Sequence, residues 1–334
     1  LTSACGILWL ICPKTIEEFV IRAEELVKFF GGRRALGPVS LEIDRGEAVG
    51  VLGLNGVGKT TLLRILATAL RPSSGALFVD GVDAIRDPLQ VRRRIGFLPQ
   101  VPPLYPDMIV EDYLRFAGRL RDMERSELER RIDEVAEVTH IGAVRREWVR
   151  HLSHGYRQRV GVAQAILHDP DLVILDEPTH GLDPAQVVEM RGLIRQLKER
   201  HTVIISSHNL PEIGETCDRL LVLDAGQVVA MGTEAELSAR ALGVTRIEVA
   251  VRAPSGEDGR AAVIACVQRV PGVRGVTVEA SQEDGLALVI DADGDRRAEV
   301  CRGLVEAGYE VVRLDRSREK LETIFLQLVG ARAA

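Results

Sequence analysis

The most informative segment of this sequence is Gly53-Leu54-Asn55-Gly56-Val57-Gly58-Lys59-Thr60-Thr61. Its glycines have no Cβ, so backbone N–H groups can close around phosphate oxygens. In loops of this pattern the lysine, here Lys59, reaches the β and γ phosphates, and the hydroxyl of Thr60 reaches Mg²⁺. This phosphate loop therefore predicts that the chain binds a nucleoside triphosphate together with Mg²⁺.

The residues on either side of the phosphate loop predict the structure that holds it. Residues 49–52 (Val-Gly-Val-Leu) are a short apolar run typical of a buried strand, and residues 61–66 have the pattern of a helix. The loop then presents the N-terminus of a helix, which favours negative charge, to the phosphates. A strand, a glycine-rich loop and a helix in this order predict an α/β fold of the P-loop NTPase type.

Composition limits the class of protein. The chain has 334 residues, of which 46% are hydrophobic and 28% charged, as in a globular protein of two domains. The formal net charge of −6 gives no overall attraction to nucleic acid, so we expect no nucleic-acid partner. The five cysteines are scattered without Cys-x-x-Cys spacing. They indicate neither a zinc site nor a disulfide frame, and fit the reducing cytosol.

The first residues match nothing that follows them. We interpret residues 1–22 as a poorly ordered leader or a misplaced start. The apolar run at residues 6–12 is far shorter than the ~20 residues of a membrane-spanning helix. It also lacks the basic residues that precede the apolar core of a secretory signal. A peripheral membrane anchor is the alternative interpretation of this run.

Hydrophobic patterns predict a nucleotide-binding domain over residues 23–240. Helical periodicity dominates residues 107–150, which predicts a helical subdomain at about 101–165 within the α/β core. Strands are predicted over residues 24–30, 39–43, 76–79, 172–175, 202–205, 220–223 and 227–230. Of these, the continuous apolar runs at 172–175 and 202–205 are typical of parallel strands buried on both faces.

A second, smaller domain is predicted over residues 245–330. Its strands and helices follow the order β-α-β-β-α-β, which is that of a ferredoxin-like α+β sandwich. A last helix over residues 319–329 closes the chain. This domain could bind a small effector or add surface to a dimer. We favour the dimer surface, because the polar residues of this domain form no cluster that differs from an ordinary solvent-exposed face of a sheet.

Polar residues follow several of the predicted strands. Asp176 and Glu177 come directly after residues 172–175, at the strand end where α/β sheets bind ligands. Phosphoryl transfer to water needs such groups: Asp176 to hold Mg²⁺, and Glu177 to orient or deprotonate the attacking water. Gln100 follows residues 95–98, which are also strand-like, and His208 follows the predicted strand 202–205. These positions favour a role in the same site over the structural role usual for a lone Gln or His.

A second anion site is predicted between the phosphate loop and the two carboxylates. Ser153 and Gly155 lie at the predicted start of a helix, where Ser153 is a good N-cap and Gly155 exposes backbone N–H groups. A chain with one phosphate loop and a second site for the γ phosphate indicates two copies, each of which completes the other's site.

The order of these segments resembles the nucleotide-binding subunit of an ATP-binding-cassette (ABC) transporter, from about Glu24 to Leu237. The motifs that carry the resemblance are the phosphate loop, Gln100, the Ser153 segment, Asp176-Glu177, residues 180–183 (His-Gly-Leu-Asp) and His208. The resemblance implies an ATPase that uses ATP and Mg²⁺ and drives a separate integral membrane permease. It also implies pairing with a second copy or a homologous ATPase subunit, and a cytoplasmic position, peripheral on the inner face of the cell membrane.

The same resemblance implies a role for each matching residue. The catalytic residues are Glu177, as the base, and His208, which clamps the γ phosphate and the water. The metal ligands are Thr60, Gln100 and Asp176, with Gln100 also linked to the membrane partner. The remaining nucleotide-binding residues are Phe30 against adenine, residues 53–61 around the triphosphate, Ser153 and Gly155 at the γ phosphate across the dimer, and Asp183 at the dimer seam.

Four positions depart from the family pattern. The family signature usually reads Leu-Ser-Gly-Gly-Gln, whereas this chain has His154 and Tyr156 at the third and fifth positions. His180 stands where a small residue is common, and Phe30 replaces the more usual tyrosine. Because the serine and the second glycine of the signature remain, we expect hydrolysis to be retained, at a rate that these substitutions affect.

The C-terminal domain narrows the resemblance. With residues 321–326 near its end, it is similar to an accessory domain of multidrug-type (ABC-2) exporter ATPases, which favours an exporter. The alternative is a cytosolic ABC-type ATPase that acts on nucleic acid or ribosomes. The sequence has neither the coiled-coil arms nor the second cassette that such proteins usually carry. A non-hydrolysing regulatory protein would have lost Glu177 or His208, and both are present.

Overall fold

The structure is a computed structural model that describes residues 19–207, 209, 213–214, 216–242, 245–252, 257–282, 285–316 and 321–330. The chain divides into two compact units between Val228 and Val229. The sequence predicts the boundary between its two domains slightly later, near residues 240–245. The first unit contains two sheets and carries the residues that the sequence assigns to nucleotide binding, and the second unit contains a third sheet.

An antiparallel sheet opens the first unit. Its strands are β1 (Phe19–Phe30), β2 (Arg33–Asp44), β4 (Ser74–Val79) and β5 (Val82–Asp83). Their spatial order is β2-β1-β4-β5, so β1 lies between two partners. The strands predicted over residues 24–30, 39–43 and 76–79 are therefore confirmed, each longer than predicted.

The start of β1 corrects one prediction. Residues 19–22, which the sequence analysis assigns to a poorly ordered leader, belong to β1. Val20 and Ile21 are fully buried, and Ile21 pairs with Ile43 on β2. Burial of these apolar side chains and the ladder of backbone hydrogen bonds hold the segment in the sheet. Residues 1–18 lie outside the described residues.

A second, largely parallel sheet forms the centre of the fold. Its strands are β3 (Ala48–Leu52), β6 (Ile95–Leu98), β7 (Leu172–Asp176), β8 (Thr202–Ser206), β9 (Arg219–Asp224) and β10 (Gln227–Gly232). Their spatial order is β10-β9-β3-β8-β7-β6, and the pairs from β9 through to β6 are parallel. Every residue of β3, β7 and β8 is buried, as their continuous apolar sequences predict.

Helices accompany both sheets of the first unit. Those whose bounds lie wholly within the described residues are α1 (Lys59–Leu66), α2 (Pro88–Arg92), α3 (Val110–Arg119), α4 (Arg125–Val138), α5 (His154–Ile166) and α6 (Pro184–Lys198). Two 3₁₀ turns, Gly142–Val144 and Val149–His151, join α4 to α5. Among the described residues of the whole chain we find no helix with the length and hydropathy of a bilayer-spanning segment.

The second unit contains the predicted α+β sandwich. Its elements are α7 (Glu234–Leu242), β11 (Thr245–Arg252), α8 (Glu257–Gln268), β12 (Val273–Gln282), β13 (Gly285–Ala292), α9 (Arg297–Glu306), β14 (Glu310–Arg316) and α10 (Leu321–Gly330). The strands pair antiparallel in the order β12-β13-β11-β14. The ferredoxin-like prediction is confirmed. Alternate residues of β11 and β13, such as Ile247 and Leu288, are buried with Val263 and Val300 of α8 and α9 in one core.

Candidate functional site

The carboxyl edge of the parallel sheet gathers the predicted polar residues. Val51 of β3 lies opposite Ser206 of β8, and Ser206 lies opposite Asp176 of β7. The phosphate loop follows β3, Glu177 follows β7, and Gln100 lies two residues beyond the end of β6. Because neighbouring parallel strands end at the same edge, the strand order β3-β8-β7-β6 brings together motifs that are far apart in sequence.

The path of the phosphate loop depends on glycine at two positions. Gly56 and Gly58 have φ values of +82° and +111°, in the region that side-chain-bearing residues rarely adopt. A Cβ on Gly58 would also lie 2.9 Å from the carbonyl oxygen of Ala35. The loop is tied to the β9–β10 turn by a 2.9 Å hydrogen bond from the Gly226 N–H to the Val57 carbonyl. The backbone that surrounds the predicted phosphate position is thus fixed.

Lys59 brings a positive charge to this loop. It is the first residue of α1, and its side chain is only 6% exposed. Its Nζ donates to the carbonyl oxygens of Gly53, at 2.7 Å, and Leu54, at 3.3 Å. The same nitrogen lies 3.7 Å from Oε1 of Glu177. The structure therefore brings the lysine of the phosphate loop next to the predicted catalytic base.

Asp176 has the environment of a cation ligand. It is buried, and its Oδ1 accepts a 2.6 Å hydrogen bond from the hydroxyl of Ser206. Its Oδ2 is also buried and has no hydrogen-bond partner among the described residues. A buried carboxylate oxygen is costly unless it is paired or binds a metal, so this oxygen fits a ligand of a divalent cation.

Ser206 is a site residue that the sequence analysis missed. Its hydroxyl donates to Asp176, and it accepts a 2.9 Å hydrogen bond from the Glu177 N–H. It thus fixes both carboxylate residues from the neighbouring strand. The available signal was the position of a serine at the end of a continuous apolar strand, immediately before the predicted edge of the sheet.

Glu177 is held in an uncommon backbone conformation. Its φ is +49°, in the left-handed region, and its N–H is shared between the hydroxyl and the carbonyl oxygen of Ser206. The carboxylate is 10% exposed. Its Oε1 faces Lys59, and its Oε2 lies 3.5 Å from Nδ1 of His180. Residues held in such conformations by their surroundings concentrate at functional sites.

The residues predicted to meet a second copy lie together at the starts of α5 and α6. Ser153 is the N-cap of α5, as predicted, and its Oγ accepts a 3.3 Å hydrogen bond from the Tyr156 N–H. Asp183 caps α6, and its Oδ1 accepts from the Gln186 N–H at 2.9 Å. Both caps and Gly155 line one polar cleft of about 660 Å³.

Three further predicted residues have different surroundings. Phe30 ends β1, in the antiparallel sheet rather than at this edge; it is half exposed, with Nζ of Lys28 5.2 Å from its ring centroid. The carbonyl oxygen of Gln100 accepts a 3.3 Å hydrogen bond from Nε2 of the buried Gln158, which links the sheet edge to α5. His208 lies outside the described residues.

The fold and the site define a P-loop NTPase, and comparison with known proteins gives the family. The sequence profile of the ABC transporter family matches residues 36–180. Over 304 residues the chain is 37% identical to the daunorubicin resistance ATP-binding protein DrrA3 of Streptomyces coeruleorubidus, a match that covers 91% of this chain and 93% of the relative. It is 30% identical over 313 residues to the bacitracin transport ATP-binding protein BcrA of Bacillus licheniformis, with coverage of 93% and 97%. The chain therefore belongs to the family of ABC transporter ATP-binding subunits.

Solved structures agree with this assignment. One ATP-binding subunit of an ABC transporter matches with a TM-score of 0.62 at 29% identity, over 67% of this chain and 93% of that one. The dimeric bacterial ABC transporter cassette MJ0796 matches with a TM-score of 0.59 at 25% identity, over 64% of this chain and 98% of that one. The predicted P-loop NTPase fold of the ABC type is confirmed. The chain is an ATPase subunit that binds ATP and powers a separate membrane permease.

Proposed function

We propose that the chain hydrolyses ATP between two copies of the subunit and thereby drives an ABC-2-type exporter. The observation that carries this proposal is the cluster of Lys59, Asp176 and Glu177 at the carboxyl edge of the parallel sheet, directly beside the phosphate loop. The names of two relatives, which refer to daunorubicin resistance and bacitracin transport, support the exporter.

In this proposal Glu177 is the general base. It accepts a proton from the water that attacks the γ phosphorus, while the bond from that phosphorus to the bridging oxygen of ADP breaks. Lys59, held by the loop carbonyls, neutralises charge on the β and γ phosphates. His208 remains the predicted clamp for the γ phosphate and the water. Phe30 contributes an exposed aromatic face for adenine.

Mg²⁺ is the cofactor that these residues fit. Asp176 offers a buried carboxylate oxygen without a hydrogen-bond partner among the described residues, and Thr60 offers a hydroxyl on the first turn of α1. Gln100 is the third proposed ligand, because it follows β6 beside the end of β7. Hard oxygen donors of this kind suit Mg²⁺. When bound, the ion neutralises charge that develops on the transferred phosphoryl group.

A second copy, or a homologous ATPase subunit, completes each site in this proposal. Ser153 and Gly155 supply a capped helix N-terminus to the γ phosphate held by the other copy, and Asp183 lies at the seam. The shared cleft of these residues and the dimeric form of the related cassette MJ0796 support this arrangement. Anions favour helix N-termini because backbone N–H groups and the helix dipole point towards them.

The membrane permease docks, in this proposal, on exposed apolar side chains of the helical segment after Gln100. These side chains are Val101, Tyr105, Phe116 and Leu120, which are 79%, 52%, 36% and 70% exposed. The rings of Tyr105 and Phe116 pack edge to face with centroids 5.5 Å apart. Exposed apolar groups that lie together mark interaction sites. Binding to the permease would place the subunit on the cytoplasmic face of the membrane.

Substitution of the base tests the catalytic part of the proposal. Glu177→Gln keeps the size of the side chain but removes its basicity, so we expect ATP affinity within about twofold of wild type and a fall in kcat of at least about 100-fold. Lys59→Ala, by contrast, should weaken ATP binding itself. Equilibrium nucleotide binding and phosphate release measured on both variants separate the two roles. Normal turnover by Glu177→Gln would remove Glu177 as the base.

Charged substitutions on the proposed docking surface test where the permease binds. Phe116→Glu and Leu120→Glu should abolish co-purification with the permease from membranes while leaving the ATP affinity of the purified chain unchanged. Leu89→Glu, at an equally exposed leucine on α2, is the matched control and should retain the permease. Retention of the permease by both test variants would show that it docks elsewhere.

A further inference from the structure

One residue next to the proposed base departs from the family pattern. His180 occupies a position where a small side chain is common, and its Nδ1 lies 3.5 Å from Oε2 of Glu177. Lys59 lies 3.7 Å from the other oxygen of the same carboxylate. The carboxylate is therefore contacted on each of its oxygens by a different nitrogen-bearing side chain. A small residue at position 180 could not make the second contact.

The backbone of His180 is fixed from two directions. Its N–H donates to the carbonyl oxygen of Glu177 at 3.0 Å, which closes a tight turn from the base to His180. Its carbonyl oxygen accepts a 2.8 Å hydrogen bond from Nε2 of His154, because a carbonyl oxygen can only accept. A Cβ on Gly181, whose φ is +73°, would lie 3.2 Å from that same nitrogen, so the His154 ring packs closely over the turn.

A hydrogen bond thus links the two histidines that depart from the family pattern. His154 is the first residue of α5, directly after the capping Ser153, and it reaches across to the turn that carries Glu177. We propose that His180 is a positioning residue for hydrolysis: its imidazole orients the Glu177 carboxylate, and His154 holds His180 in place. This inference rests on the proposed role of Glu177 as the base.

The proposed role predicts an effect on turnover and not on nucleotide binding. When Lys59 engages the phosphates, as proposed above, His180 remains beside the second oxygen of Glu177 and limits rotation of the carboxylate. General-base catalysis contributes about 100- to 10,000-fold, and a badly oriented base loses part of that factor. We therefore expect His180→Ala to lower kcat about tenfold, with the KM for ATP within about twofold of wild type.

A conservative variant separates positioning from folding. Asparagine can place its side-chain N–H near the position of the histidine Nδ1, so His180→Asn should restore kcat to within about threefold of wild type. His151→Ala, at an exposed histidine on the second 3₁₀ turn, is the matched control and should leave kcat unchanged. Phosphate release at saturating and limiting ATP gives kcat and KM for each variant, and the urea midpoint monitors folding.

Four outcomes decide the inference. A fall in kcat for His180→Ala, with recovery in His180→Asn and unchanged midpoints, supports it. Wild-type kcat in His180→Ala, together with an inactive Glu177→Gln, would overturn the role of His180 and leave the base in place. A fully active Glu177→Gln would instead overturn the proposed base, and with it the reason for the positioning role. Equal losses in His180→Ala and His180→Asn would also contradict positioning by a donated N–H.

Discussion

Replacement of Ser206 by alanine removes the hydroxyl that fixes both carboxylate residues. The hydroxyl donates to Oδ1 of the buried Asp176 at 2.6 Å, and a hydrogen bond to a charged group contributes about 1.5–3 kcal/mol. The Glu177 N–H loses its 2.9 Å acceptor but keeps the carbonyl oxygen of Ser206 at 3.2 Å, so this second loss is below about 1 kcal/mol. We expect Ser206→Ala to lower the free energy of unfolding by about 3 kcal/mol.

Urea unfolding of the purified chain measures this change directly. The exposed Ser126→Ala, on α4, is the matched control and should change the free energy of unfolding by less than about 0.5 kcal/mol. Because Asp176 and Glu177 lose a shared support, kcat for ATP should also fall in Ser206→Ala. Stability and kcat within error of wild type would refute the argument that Ser206 holds these two residues in place.

Four further variants test other parts of the first unit. Gly58→Ala should weaken ATP binding about 100-fold in calorimetric titration, since its Cβ would lie 2.9 Å from the Ala35 carbonyl oxygen. Gly56→Ala has open space around its Cβ, so only backbone strain of about 1–2 kcal/mol should weaken its ATP binding. Equal losses of affinity in the two variants would contradict this. Burial holds the pKa of His168 at about 3, well below its unfolded value, so its contribution to stability is complete above pH 6.5 and is lost as pH falls towards 3. In His168→Gln the free energy of unfolding should therefore fall less steeply as the pH is lowered, by roughly 1 kcal/mol per pH unit. An unchanged dependence of the free energy of unfolding on pH would count against this role of His168. Arg131→Ala should lower the free energy of unfolding in urea by about 3 kcal/mol, because the buried guanidinium of Arg131 donates to the carbonyl oxygens at the end of α5. A decrease below about 1 kcal/mol would not fit.

The sequence predicts the local structure around the candidate site well, because local chemistry dominates there. The glycines of the phosphate loop, the cap at Ser153 and the continuous apolar strands that precede Asp176 each follow from a few neighbouring residues. The ferredoxin-like order of the second unit is likewise readable from alternating patterns, such as Ile247 to Val251. These predictions need only periodicity, turn chemistry and the rule that α/β sheets bind ligands at strand ends.

Other features depend on contacts between distant segments. The hydroxyl of Ser206 acquires its role only when β8 lies beside β7, and the pairing of His154 with His180 needs the start of α5 to meet the turn after Glu177. The left-handed φ of Glu177 has no signal in the sequence, since glutamate does not favour it. The sequence analysis places residues 19–22 in the leader because they match nothing that follows, and their place in β1 depends on pairing with the distant β2.

Sedimentation of the Glu177→Gln variant tests the central claim, that one triphosphate is bound between two copies. In this variant ATP should stay bound because hydrolysis is blocked. The account predicts a monomer without nucleotide and a dimer at saturating ATP and Mg²⁺, with the additional change Lys59→Ala preventing dimer formation. A single copy at every ATP concentration, in a variant shown to bind ATP, would contradict the shared site.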